Sequence, residues 1–267
     1  MKKLRALALA LLLCLSLFGC AKRQPAALLA AGVCQTAAQA LAQADASAVT
    51  AQAQTDRAAL EQLSCGNCEF AVVREESLRD ALTGGGDYNG QALDNLERLD
   101  NLLLGAFCVF STAGQPQQWT RGVETLVLED GDVGEALASQ LTQALQLTNV
   151  RACTREELAQ RVGEGGAWVA LGLFLPGETL IDTMVKAGAA LVETPVELAM
   201  PGETRSMAKT MLPLLYDGMP RQEAWCLYGA LVTAGGVDEA LRAQMLRTAT
   251  GLACHVQQLP SLPLDEE

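Results

Sequence analysis

The sequence predicts an α/β fold in two similar lobes. One unit, read as helix, glycine stop, short buried strand and helix, is spelled at residues 56–82 and again at residues 156–185. Around these units strand-like and helix-like stretches alternate, which builds βαβ connections and a mostly parallel sheet with flanking helices. At 267 residues the chain is long enough for one large domain or two smaller ones with proper cores. Half of its residues are apolar and only 4 % are aromatic, a composition suited to helices packed closely on a sheet.

The N-terminus reads as a targeting signal. Lys2, Lys3 and Arg5 precede an apolar run, Leu7 to Phe18, too short for an ordinary spanning helix. It ends in Leu17-Phe18-Gly19-Cys20, which resembles the bacterial lipobox and implies lipidation at Cys20. The alternative is an ordinary signal peptide with a chance cysteine. The expected organisation is a lipoprotein signal over 1–19, a lipidated tether over 20–25, a first lobe over 26–114, a second over 115–194, and a return to the first with C-terminal helices over 195–267. The expected location is the extracytoplasmic face of the cell membrane, held by lipid.

After the tether, residues 26–31 suit a strand, 32–36 a turn and 37–44 a helix. Small apolar and polar residues alternate over 47–54, a strand pattern. Thr55 or Asp56 caps the next helix, where Ala59, Leu60 and Leu63 recur at helical spacing and Gly66 ends the run. Phe70 to Val73 is a short apolar run expected to be covered on both faces. Thr83 to Gly90 is a glycine-rich loop, and 99–110 returns to strand. Polar residues 115–122, with Pro116, suit a crossing between lobes. A strand at 124–128, an acidic turn, a helix at 135–145 and a strand at 150–153 follow. Thr154 and Glu157 form a capping box before the second unit. Residues 189–192 suit a strand, and 194–202 the return crossing. Residues 210–216 suit one more strand. Pro220 with Ala224, Leu227, Tyr228 and Leu231 predicts a helix to Ala234, and 237–250 predicts another.

Charge narrows the functional classes. The formal charge of −12 becomes −15 without the three cations of the signal, which argues against nucleic acid or an anionic membrane surface as partners. Outside the signal and Cys20, seven cysteines remain: Cys34, Cys65, Cys68, Cys108, Cys153, Cys226 and Cys254. An odd number at irregular spacing is no disulfide framework, so most are expected to be small core residues. Cys65-Gly66-Asn67-Cys68 ends a helix where a redox motif would begin one, so a local disulfide or two free thiols is expected over thiol catalysis. Zinc would need a second such pair. His255 is the single histidine, expected to be structural. With no serine nucleophile elbow, phosphate-binding loop or HExxH, neither an enzyme, a metal nor a cofactor is expected.

The order of elements and several spellings resemble the TAXI solute receptors of TRAP-type transporters. The residues that carry this are LEQLSCGNCEFAVVREESLRDAL, the strand at 96–112, EELAQRVGEGGAWVALGLFLPGETLIDTMVKAGAALV and GMPRQEAWCLYGAL. The last of these resembles that family's C-terminal helical layer. The resemblance implies a two-lobe, type II periplasmic-binding-protein-like fold. It implies a monomeric receptor that binds a small organic acid or amino acid between the lobes and hands it to a membrane permease. Where the family has a glycine-rich segment after the first strand, this chain has Ala31-Gly32-Val33-Cys34-Gln35-Thr36, with one glycine. The counterpart in the second lobe is Glu129-Asp130-Gly131-Asp132, whose carboxylates would repel an acidic ligand.

Candidate ligand-binding residues follow, each with a simpler alternative. Cys34, Gln35 and Thr36 stand at a βα turn, where they would either face a ligand or cap the helix. Arg74 follows a strand and would either clamp a carboxylate or pair with Glu75 or Glu76. Tyr88 would be a lid residue or an ordinary loop residue. Glu129, Asp130 and Asp132 would hold a cation or form a solvated turn. Phe174, with Leu175 and Pro176, would be a cleft wall or core. Two further readings stand beside the receptor: a relative that has lost solute binding and acts as a surface interaction or sensory module, and a thiol redox lipoprotein using Cys65 and Cys68.

Overall fold

The computed structural model describes residues 25–119, 123–129, 131–194, 196–200 and 204–263, so Cys20 and the signal lie outside the described residues. The elements run β1 (Ala26–Ala30), α1 (Cys34–Ala44), β2 (Ala48–Gln52), α2 (Asp56–Ser64), β3 (Phe70–Arg74), α3 (Glu75–Thr83) and the long β4 (Leu96–Ser111). There follow β5 (Glu124–Leu128), α4 (Asp132–Ala144), β6 (Val150–Cys153), α5 (Arg155–Gly163), β7 (Trp168–Phe174), α6 (Thr179–Lys186) and β8 (Ala190–Val192). The chain closes with β9 (Met207–Met211), β10 (Glu223–Ala234) and α7 (Glu239–Thr250).

The repeated unit forms as its residues dictate. Thr55 accepts the Ala58 N–H at 3.0 Å and starts α2. Gly66 takes φ +75° after it. Phe70 to Val73 is then buried throughout. In the second unit Thr154 and Glu157 satisfy each other's amides at 3.2 and 2.8 Å, and every residue of β7 is buried.

The sheet has the same strand order twice. One half reads β2-β1-β3-β10-β4, the other β6-β5-β7-β4-β8. In each half the three outer strands are parallel, the fourth position runs antiparallel to them, and the last strand restores the first direction. β4 belongs to both halves, as the last strand of the first and the antiparallel strand of the second. β4 pairs with β10 over Leu96 to Ala106 and with β7 over Ala106 to Ser111. β10 pairs with β9 over Glu223 to Leu227 and with β3 over Gly229 to Thr233. The fold is therefore a two-part α/β sheet with flanking helices, in which four of the five strands of each half run the same way, and the chain passes between the parts inside β4 and β10. The short turn at Pro116–Gln118, in the stretch expected to be a crossing, comes after β4 has already joined the second half. Residues 120–122, 195 and 201–202 of the two expected crossings lie outside the described residues.

Three apolar clusters cover the sheet. One runs across both halves beneath α1, α4 and α7, with Leu28, Phe70, Leu104, Leu171 and Leu231 at its centre. A second lies under α5 and α6, and a third under α2 and α3. Ala37 and Ala38 of α1 are fully buried, and their small side chains let the helix approach the sheet closely.

The helix predicted over 220–234 is instead β10. Ala224, Leu227, Tyr228 and Leu231 do fit a helical stripe, but Cys226 to Ala234 is buried without a break. A strand covered on both faces shows no period of two, so local spacing misleads there and long-range pairing decides. Gly229 adds a backbone reason: a Cβ there would lie 2.3 Å from the Val73 carbonyl oxygen and 2.6 Å from Leu104 Cδ1. The strand expected over 210–216 is β9, shifted toward the N-terminus. α1 and α4 each begin three residues earlier than their spacing predicted, at Cys34 and Asp132.

Asp45 clips α7 to the β1–β2 side of the sheet. Its carboxylate accepts from the Ser47 amide (2.9 Å) and hydroxyl (2.7 Å), from Gln244 Nε2 (2.9 Å) and from Thr248 Oγ1 (3.4 Å). Burial alone would raise its pKa, but these hydrogen bonds outweigh burial and hold it below the usual value.

Two predictions follow from this frame. Gly229→Ala is expected to cost about 3 kcal/mol in urea denaturation, by forcing an atom into a backbone contact. Gly163→Ala, where nothing lies within 4 Å of the new carbon, is expected to be neutral or to stabilise by about 0.5 kcal/mol. The second concerns pH. Because Asp45 titrates lower in the folded chain than in the unfolded one, its contribution is present above about pH 4 and is lost as pH falls through the folded-state value. Asp45→Asn is expected to lower the urea midpoint at pH 7 and to converge with the parent near pH 2.

Candidate functional site

The carboxyl ends of the parallel strands in both halves open onto one cleft, the usual place for ligands in open α/β sheets. One compartment, of about 220 Å³, is lined by Gly32, Val33, Thr55, Asp56 and Arg74 from the ends of β1, β2 and β3, with Gly131 and Val133 from the end of β5. A larger one, of about 350 Å³, is lined by Thr36, Gln39 and Gln43 of α1, Arg155 and Glu156 at the start of α5, the 175–180 turn after β7, Thr183 of α6, and residues 252–254. The first turns of α1 join the two compartments, with Val33 in one and Thr36 in the other.

The cations facing this cleft already have anionic partners. Arg74 Nε lies 3.0 Å from Asp56 Oδ2 and its Nη1 lies 3.2 Å from Glu76. Asp56 also accepts from the Arg74 amide and the Ser77 hydroxyl, both at 3.0 Å. It is buried because those donors replace water. Arg155 Nε lies 2.7 Å from Glu178 Oε1, and another of its nitrogens donates to the Leu173 carbonyl at 2.7 Å. Glu178 Oε2 in turn accepts the Leu175 amide at 3.1 Å and fixes the turn that ends β7. Glu156 is exposed, lines the larger compartment and has no ion-pair partner among the described residues.

The predicted residues divide. Arg74 and Thr36 reach the cleft, in different compartments. Glu129 is exposed at the end of β5, beside the lining Gly131, and its amide donates to Cys153. Asp130 lies outside the described residues, and so does the side chain of Asp132, which begins α4. Gln35 faces a separate 200 Å³ hollow between α1 and β2. Cys34 is fully buried with its Sγ 3.8 Å from Asp56 Oδ1, and burial raises its pKa well above that of a free thiol. Phe174 is not a cleft wall: it is fully buried and meets Phe110 edge-on at 5.1 Å, while Leu175 and Pro176 line the cleft. Tyr88 is not a lid: it is packed in the core under α2 and α3 with the Arg57 guanidinium 5.2 Å from its ring centre. Burial pushes its hydroxyl pKa up to about 12.

Sequence reasoning missed Asp56, Gln39, Gln43, Arg155, Glu156 and Glu178. The available signal was positional, since each except Gln43, in the last turn of α1, follows a strand end or occupies the first turns of the next helix. Cys65 and Cys68 are free thiols. Cys68 is buried and its pKa is pushed up to about 12, mainly by burial, so the thiolate that redox exchange requires is disfavoured. His255 Nδ1 lies 2.9 Å from Asp100 Oδ2 and holds the C-terminal segment on β4. Among the described residues no group of three or more His, Cys, Asp or Glu is placed to hold a metal ion. Nor is any described helix long and apolar enough to cross a membrane.

No protein-family model matches the chain, and no curated protein matches it. Solved structures similar to it include an ABC transporter protein from Parabacteroides distasonis, with 11% identity, a TM-score of 0.42, and coverage of 85% of this chain and 73% of that one. The methionine-binding protein MetQ is similar at 11% identity and TM-score 0.37, over 90% of this chain and 100% of that one. The Corynebacterium glutamicum OxyR C206 mutant is similar at 14% identity and TM-score 0.36, over 91% of this chain and 70% of that one.

The Arg74 network gives a direct prediction. Asp56→Ala leaves Arg74, Ser77 and the Arg74 amide short of an acceptor; because the guanidinium is about a third exposed, the expected cost in urea denaturation is about 2 kcal/mol rather than that of a fully buried pair. Arg74→Met, which removes the cation and keeps its stem, is expected to cost under about 1 kcal/mol.

Proposed function

We propose that this chain is an extracytoplasmic solute-binding protein, anchored through Cys20, that holds a small polar solute in the cleft between its two half-sheets. One observation carries the reading. Two halves with the same strand order turn the carboxyl ends of their parallel strands toward a shared cleft, and the β4–β10 pair joins the two. Such a frame can bend at that pair and close on a solute, as hinged binding domains do. In this reading the lobes correspond to residues 26–114 and 115–194, with 195–267 returning to the first. Thr36 and Arg74 are the cleft residues retained from the sequence, with Gly131 of the acidic turn beside Arg74. The protein works as a monomer that delivers solute to a membrane permease, of TRAP type by the resemblance to TAXI receptors. It does no chemistry on the solute.

A second reading has support of its own. Arg74 and Arg155 are already engaged by Asp56, Glu76 and Glu178, which fits a relative that has lost solute binding and serves as a surface interaction or sensory module.

A thermal-shift screen of the chain from Ala21 onward, against sugars, polyols, amines, amino acids and organic acids, separates the two. The receptor reading expects at least one solute to stabilise saturably. At a hundredfold excess over Kd this amounts to about 2.7 kcal/mol, or roughly 5–10 °C. Absence of any stabilisation across the screen favours the second reading.

A further inference from the structure

The charge pattern of the larger compartment points to the class of solute, an inference that rests on the solute-binding reading above. Its cation is engaged: Arg155 is bonded to Glu178 at 2.7 Å and to the Leu173 carbonyl at 2.7 Å. Glu178 is itself held by the Leu175 amide at 3.1 Å, so the pair is built into the turn and is not free to reorient toward a ligand. Glu156, one residue along α5, faces the same space with its carboxylate unengaged among the described residues. The other polar groups are neutral, among them Gln39, Gln43 and Thr183, over a floor of Leu175 and Pro176.

We propose that this compartment takes an amine-bearing polar solute and turns away free carboxylates. The ammonium group sits on Glu156, and hydroxyl or amide groups of the solute meet Gln39, Gln43 and Thr183. A carboxylate solute would find its natural partner, the guanidinium of Arg155, already occupied. It would lose its hydration beside Glu156 and Glu178 with no new charge to replace it. The acidic balance of the chain adds a weak, salt-dependent attraction for cations.

Two sets of solutes matched in shape and differing in charge test this: glucosamine, glucose and glucuronate, and putrescine, 1,4-butanediol and succinate. Binding to the chain from Ala21 is read by calorimetry and thermal shift. In at least one set the amine is expected to bind best, the neutral member less well and the carboxylate not detectably. Glu156→Gln is expected to weaken the amine about threefold without moving the melting temperature of the solute-free chain, as expected for an exposed ion pair. Tighter binding of a carboxylate member overturns the amine assignment and leaves solute binding standing. So does failure of both sets when another solute in the broader screen stabilises the chain. Silence in both experiments overturns the amine assignment and the receptor reading together.

Discussion

The structure depends on the antiparallel pairing of β4 with β10. β4 stands in both parts of the sheet, β10 pairs along it, and each helix-bearing unit hangs from one of the two, β3 from β10 and β7 from β4. Residues without side chains stand where these strands approach their neighbours β3 and β7 and each other. Gly229 lies against the Val73 carbonyl and Leu104, and Gly105 lies against Leu173, where a Cβ would come within 2.9 Å of that side chain. Burial on both faces does the rest, since Leu102, Leu104, Leu227 and Leu231 are fully or almost fully covered, each contributing about 2 kcal/mol. The pairing is interrupted between Leu227 and Tyr228 and between Leu231 and Val232. Such bulges bend a strand and raise its twist, so the pair that joins the halves also carries their curvature.

That geometry also explains the chemistry of the cleft. Carboxyl ends of parallel strands from both halves meet there, and residues just past a strand end are drawn into it whatever their charge. Uncompensated guanidinium groups at such half-buried positions would lose hydration, and the chain meets this by placing carboxylates beside them: Asp56 and Glu76 for Arg74, Glu178 for Arg155. The same pairs serve the fold. Asp56 ties the start of α2 to the β3–α3 junction, and Glu178 ties β7 to the turn before α6.

Much of this was legible in the sequence, and the failures have physical causes. The repeated unit was readable because its caps, glycines and apolar runs are local, as Thr55, Gly66 and the Thr154–Glu157 box show. β10 was not, because a strand buried on both faces has no alternation and Ala224, Leu227, Tyr228 and Leu231 happen to fall at helical spacing. Its pairing with β3 and β4 involves residues more than a hundred positions away, which no local pattern reveals. Arg74 could be placed near a cleft from its position after a strand, and its pairing with Glu76 was one of the alternatives weighed. Its stronger link to Asp56, eighteen residues back, needed the parallel register of β1 with β3. Tyr88 and Phe174 were misplaced because an aromatic residue in a glycine loop or at a strand end reads alike whether it turns inward or outward.

In the proposed receptor one solute bridges both halves of the sheet. Hydrogen–deuterium exchange of the chain, with and without a stabilising solute from the thermal-shift screen, tests it directly. A solute held between the halves is expected to add protection both in residues 31–43 of the first half and in residues 155–158 and 175–183 of the second, at the same solute concentration. Protection confined to one half, or located away from these segments, would contradict it.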